Sequence, residues 1–204
     1  MKSIASPALT GLITSLVLAS NVQAEETNVR FDPARTWTFT FGVEQVAFDK
    51  EQAQREFIDD SATALILEGE YFFHSHYSFT LGLAFVPYDD DASFSQDTTG
   101  GYKSSDASGM PIYGELGYKR FFGTNAKTYI TARAGVSAMI SSTRSISNCS
   151  NCYEEDIDID GGLYAMLGAG VRLGRSWTFG LHYKNYFSGD IDNAVGIAFS
   201  YGYR

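Results

Sequence analysis

The chain has 204 residues, 44% hydrophobic and 19% charged, enough apolar side chains for one domain or two small ones and too many for a disordered chain. Aromatic residues make up 15%, and 20 glycines stand against four prolines, a balance of extended segments and tight turns that argues against a helical bundle. A formal charge of -9 leaves no basic surface from which to release counterions, which excludes nucleic acid as a partner.

The chain opens on Met1-Lys2, an apolar run over residues 8–19 and the small-residue site Val22-Gln23-Ala24. This is the pattern of a secretory signal peptide cleaved after Ala24, with residues 25–35 as a short segment ahead of the fold. A run of about twelve residues is too short for a membrane anchor, which needs roughly 20. No later stretch reaches that length, so no transmembrane helix is expected.

Beyond residue 35 the sequence alternates with period two. Strands are predicted over 36–47, 63–73, 76–86, 111–122, 127–139, 162–173, 176–187 and 194–203. Their length exceeds the usual five or six residues of soluble strands and matches what a tilted strand needs to cross a bilayer. His74-Ser75, residues 123–126 and Gly174-Arg175 are tight turns, whereas 48–62, 87–110, 140–161 and 188–193 are polar loops, most of them long. Long and short connections therefore alternate, as in an up-and-down barrel with its short turns, and both ends of the strand series, on one side.

The last strand decides which face is outside. Val195, Ile197, Phe199, Tyr201 and Tyr203 line one face and Ala194, Gly196, Ala198, Ser200 and Gly202 the other. A soluble barrel would put charge outside, and neither face has any. An eight-stranded barrel has interior space for side chains and little else, so the small face points inward and the bulky face toward lipid. Trp37, Phe39, Phe41 and Val43, the odd positions from Tyr77 to Phe85, and Trp177, Phe179 and Leu181 fall on the same outward parity.

The inward parity collects the charges: Glu44, Glu68, Glu70 and Glu115, then Lys119, Arg133, Arg172 and Lys184, with His182 beside them. Buried charges are costly unless paired, so four acids opposite four bases predict an internally satisfied lumen network. An ion pathway or a catalytic carboxylate pair is the alternative, against which stands the absence of a continuous aqueous channel at this barrel size. Aromatics near the strand ends are predicted to form two interfacial girdles: Trp37, Phe73, Tyr77, Tyr129, Trp177, Tyr201 and Tyr203 at one end, Phe48, Phe85, Tyr88, Tyr186 and Phe187 at the other.

Cys149 and Cys152 lie in the third long loop. They lack the helix N-terminus of a redox pair and the further ligands of a zinc site, and in an oxidising compartment they are expected to form a local disulfide. Seventeen acidic residues against Lys50, Arg55, Lys103 and Arg144 give the long connections a charge of about -13. Among them Asp156, Asp158 and Asp160 precede Gly161 as the start of a calcium loop does, but Leu167 stands where the closing Glu would fall. Weak, loop-ordering Ca²⁺ association is the expectation, with no other cofactor. The plainer reading is a solvated acidic loop.

Strand number, loop alternation and the aromatic last strand resemble the small eight-stranded outer-membrane barrels, the class of the OmpA transmembrane domain and OmpX, and also the solitary autotransporter-like barrels. The resemblance implies an all-β, eight-stranded antiparallel up-and-down transmembrane β-barrel over 36–204, with residues 25–35 periplasmic and the long loops at the bacterial cell surface. It further implies a structural, adhesive or surface-interaction role without enzyme activity. The implied partners are outer-membrane lipid and lipopolysaccharide, the barrel-assembly machinery and a cell-surface ligand. The competing enzyme class is the lipid A deacylases, whose His-x-Ser-Asn motif is matched only by His182-Tyr183-Lys184-Asn185. Lysine there replaces the nucleophile, and parity puts His182 in the lumen, away from a lipid substrate. The palmitoyltransferase barrels need an apolar lumen, which Glu68, Glu70, Glu115 and Arg133 would spoil.

Overall fold

A computed structural model of the chain describes residues 32–90, 105–123, 126–146 and 153–202. In chain order the elements are β1 (Trp37–Phe48), α1 (Lys50–Arg55), β2 (Ser61–Phe72), β3 (Tyr77–Tyr88), β4 (Ser105–Phe122), β5 (Thr128–Ile146), β6 (Tyr153–Asp156), β7 (Leu163–Leu173), β8 (Trp177–Tyr186) and β9 (Ile191–Tyr201). Each strand pairs antiparallel with the next, apart from β6, and β9 pairs with β1. The result is a closed eight-stranded up-and-down barrel. The short β6 pairs only with the upper part of β5, on the side that β7 takes lower down, so it continues the wall above β7.

Period-two alternation produces two faces with opposite environments. Phe39 is 65% exposed and Leu116 63%, while Thr38, Thr40 and Glu115 beside them are buried. Water would penalise such an apolar exterior at roughly 25 cal/mol per Å², whereas lipid does not. Inside, large and small residues interlock: a Cβ at Gly82 would strike the ring of Tyr113, its partner across the β3–β4 pair.

Three features depart from the sequence reading. Strands β4 and β5 are 18 and 19 residues long, so each enters territory expected to be loop. Their upper parts are rich in Ser, Thr and Asp and carry no apolar alternation because no lipid faces them. The ladder continues regardless, with a register shift at Met110/Pro111, where proline cannot donate. The loop after β1 contains α1, whose N-cap Asp49 accepts from the N–H groups of Glu51 (3.0 Å) and Gln52 (3.1 Å). Finally, Phe48, Tyr88 and Tyr129 are buried and Tyr186 is half-buried against Tyr164, so these four belong to the lumen and its mouths and not to the girdles. Three share the parity of an inward charge on their strands, Phe48 with Glu44, Tyr129 with Arg133 and Tyr186 with Lys184, and Tyr88 shares that of buried Ser78 and Thr80 on β3.

Candidate functional site

The middle of the lumen is filled by a charge network assembled from β1, β2, β4, β5 and β8. Arg133 is its hub: Nη1 lies 2.8 Å from Glu115 Oε2 and 3.2 Å from Glu68 Oε2, and Nη2 lies 3.0 Å from Glu70 Oε1. Lys119 bonds the other oxygen of Glu70 at 2.5 Å. On the opposite wall Glu44 Oε1 takes Lys184 Nζ at 2.6 Å and His182 Nε2 at 2.7 Å. Hydroxyls occupy further carboxylate lone pairs: Tyr164 donates to Glu115 (2.6 Å), Tyr113 to Glu68 (3.1 Å) and Ser78 to Glu70 (2.8 Å). Lys184 also sits 4.5 Å above the Tyr113 ring centre, which couples the two halves by a cation–π contact.

Arg172, counted among the four bases from sequence, stands elsewhere. It lies at the short-turn end of β7, is only half-buried and donates to the carbonyl of Arg175. Beside the four acids the basic groups are Lys119, Arg133, Lys184 and His182. Two of these basic groups, Lys184 and His182, are in the stretch compared with the deacylase motif. His182 faces Glu44 inside the barrel, and Lys184 is ion-paired to the same carboxylate.

Above the charges the lumen turns apolar. Val46, Ala62, Ala64, Ala84, Val86 and Ile191 line it, and Ile58, Ile157 and Ile159 come down from the loops to fill it, each 3% exposed or less. This cap has its own hub, which sequence reasoning had placed among the surface loop charges. Arg144 is 2% exposed. Its Nε donates to Asp90 (2.8 Å), its Nη1 to Glu155 (2.6 Å), and its Nη2 to the carbonyls of Glu56 (2.7 Å) and Phe57 (3.2 Å). Those carbonyls follow the end of α1, so the guanidinium caps the negative end of a helix from another loop. Phe57 holds φ at 54°, a left-handed conformation unusual for a bulky residue, where its carbonyl meets Arg144. Burial pushes the Asp90 carboxyl above the usual carboxylate range, and Arg144 offsets part of that rise.

In the sequence Arg144 is a single arginine among Ser and Thr, on the parity opposite to Arg133, and it turns inward only because the register shift at Met110/Pro111, which leaves Ile140 unpaired, switches the faces of β5 above it. Asp156, Asp158 and Asp160 are exposed and alternate with buried Ile157 and Ile159. The repeat is thus an extended amphipathic segment laid across the barrel mouth. The backbone N–H of Asp158 binds Glu56 Oε2 (3.1 Å) and that of Asp160 binds Asp190 Oδ2 (2.8 Å). Among the described residues no three His, Cys, Asp or Glu side chains come together in a group that could hold a metal. Cys149 and Cys152 lie outside the described residues.

Residues 10–204 match the family model described as "Outer membrane protein beta-barrel domain". The chain belongs to this family. It is therefore a transmembrane barrel of the bacterial outer membrane, with α1, β6 and the upper parts of β4 and β5 all at one end of it. Among solved structures, it is similar to Ail, the attachment invasion locus protein of Yersinia pestis, with a TM-score of 0.52 and 9% identity over 83% of this chain and 98% of that one. Neisserial surface protein A matches at 0.51 and 10%, over 83% and 98%. OprG of Pseudomonas aeruginosa matches at 0.50 and 18%, over 84% and 97%. At these identities the likeness is one of fold. No curated protein matches the chain.

Proposed function

We propose that this outer-membrane barrel passes no solute and acts at the cell surface, through its ordered extracellular cap, as an interaction protein. The observation that carries the reading is the sealing of the lumen at three levels. Ion pairs cross its middle, Ile58, Ile157 and Ile159 fill the upper mouth, and the segment before β1 folds under the lower one. There Pro33 is buried and the Arg35 N–H bonds the Phe72 carbonyl at 2.6 Å. Two cavities lined by network residues measure about 20 Å³ and about 30 Å³, on the scale of a few water molecules.

A pore has no use for a fixed lid, whereas a binding surface gains from one, because loops already ordered lose less entropy when a partner docks. In this reading lipopolysaccharide is the surrounding lipid, the barrel-assembly machinery inserts the chain, and the ligand is met on the cap. The test pairs planar-bilayer recording with a cell-attachment assay. Wild type is expected to show no conductance and to confer attachment, and Arg144→Ala to lose attachment while still inserting as a folded barrel. Steady conductance by the wild type would overturn the reading.

A further inference from the structure

A closed barrel abolishes sheet edges, and this one adds an edge back. β6 stands at the end of the sheet order: it pairs with β5 through Tyr153–Ile146, Glu154–Ser145, Glu155–Arg144 and Asp156–Thr143, and among the described residues with no other strand. In an antiparallel pair, alternate residues direct their N–H and C=O away from the partner, so the far side of β6 offers a row of backbone groups to an incoming strand.

The side chains define what that strand must be. Glu155 turns inward and is held by Arg144 at 2.6 Å, which fixes β6 to the cap in one register. Glu154 and Asp156 are exposed. The chain then runs through exposed Asp158 and Asp160 to the β8–β9 turn, where Asp160 and Asp190 exchange hydrogen bonds and Phe187 is 69% exposed. Among the described residues the charged side chains exposed along this stretch, Glu154, Asp156, Asp158 and Asp160, are all acidic, and Arg144, which pairs with Glu155, is buried and engaged. Two copies of this edge repel each other, which is how native edges are kept from self-pairing. A strand carrying positive charge is attracted instead.

We propose that the outer edge of β6 takes up a basic, extended peptide segment as a further strand of the sheet. Backbone hydrogen bonds supply adhesion, and alternate Lys or Arg side chains meet Glu154 and Asp156. The proposal rests on the reading of the cap as an interaction surface and names the chemistry of its partner.

The experiment uses the full-length barrel in nanodiscs and three fluorescent octapeptides. One alternates Lys with Thr and Val, the second is the same peptide N-methylated at every other residue, and the third carries Glu in place of Lys. The Lys peptide is expected to bind and to weaken with salt, the N-methylated one to bind at least tenfold more weakly, and the Glu peptide not to bind. Glu154→Lys combined with Asp156→Lys is expected to reverse the preference between Lys and Glu peptides. Both positions are exposed, and retention of the barrel is checked by heat-modifiable gel mobility. Equal binding of the N-methylated peptide would reduce the effect to plain charge and overturn strand addition, as would no binding at millimolar peptide or a barrel dimer that excludes the peptide. Conductance is unaffected by any of these outcomes, so failure here is distinguishable from failure of the sealed-barrel reading.

Discussion

His182 Nε2 lies 2.7 Å from Glu44 Oε1 although β9 runs between their strands, because Gly196 stands between them in the register. A Cβ at that position would lie 2.7 Å from both the Glu44 Cγ and the His182 Nε2. The missing side chain is what lets a carboxylate on β1 reach an imidazole on β8.

Gly196→Val should therefore push the two apart and destabilise the barrel by about 1–3 kcal/mol, the usual cost of overpacking. Gly69→Ala is the control, because a Cβ there would meet only the Trp37 ring, at 3.8 Å. Urea titration in detergent, read by tryptophan fluorescence, compares the two. An unchanged midpoint for Gly196→Val would mean that the network is looser than the geometry implies.

The three carboxylates around Arg133 predict an order of effects. Arg133→Ala leaves Glu68, Glu70 and Glu115 close together without their shared cation, a loss on the order of 3–5 kcal/mol or more. Glu115→Ala leaves Arg133 two of its three partners and is expected to cost less, about 1–3 kcal/mol. Unfolding midpoints in the reverse order would place the hub elsewhere in the lumen.

Much of this architecture was legible before any coordinates, for a reason particular to lipid. A lipid-facing strand must show apolar residues at every second position, so Trp37, Phe39 and Phe41, or Val195, Ile197 and Phe199, announce both strand and face. The same parity predicted Glu44, Glu68, Glu70, Glu115, Lys119, Arg133 and Lys184 as inward. It said nothing of which charges share a level along the barrel axis. Arg172 lies on the inward face yet sits at the turn end, where it donates to the Arg175 carbonyl. The cap was illegible because it obeys another grammar. Ile58, Ile157 and Ile159 show no period in mostly polar sequence, and their common burial depends on two loops, β1–β2 and β6–β7, converging over the mouth. Arg144 looked like one of four loop bases until the carbonyls of α1, Asp90 and Glu155 closed around it.

Arg144→Ala should release the cap and spare the barrel. Hydrogen exchange of residues 50–60 and 153–160 is expected to rise at least tenfold, with strand amides in β1, β8 and β9 unchanged. Arg144→Lys is not expected to rescue it, because a single ammonium cannot serve Asp90, Glu155 and two helix-end carbonyls from fixed directions. Exchange that rises equally in the barrel strands would mean that cap and barrel unfold as one unit.

Asp90 sets the pH dependence of the cap, and its sign runs against the usual expectation for an ion-paired carboxylate. Burial outweighs Arg144 and holds the Asp90 carboxyl above its ordinary value, so the closed cap binds this proton more tightly than the open loop does. The stabilising contribution of that proton is fully present below the unfolded value of about 3.9 and is lost as pH rises through the higher folded value. From neutral pH down to the unfolded value of about 3.9 the cap is therefore expected to gain protection as acid is added, in so far as Asp90 governs it. Asp90→Asn keeps an oxygen to accept from Arg144 Nε and removes the charge, so it should match or exceed the wild-type protection at neutral pH and flatten the profile. Hydrogen exchange of residues 50–60 across that range, corrected for the intrinsic rate at each pH, reads the effect. Progressive loss of protection on acidification, the same in wild type and Asp90→Asn, would show that the Arg144 ion pairs dominate and that the burial of Asp90 does not set the sign.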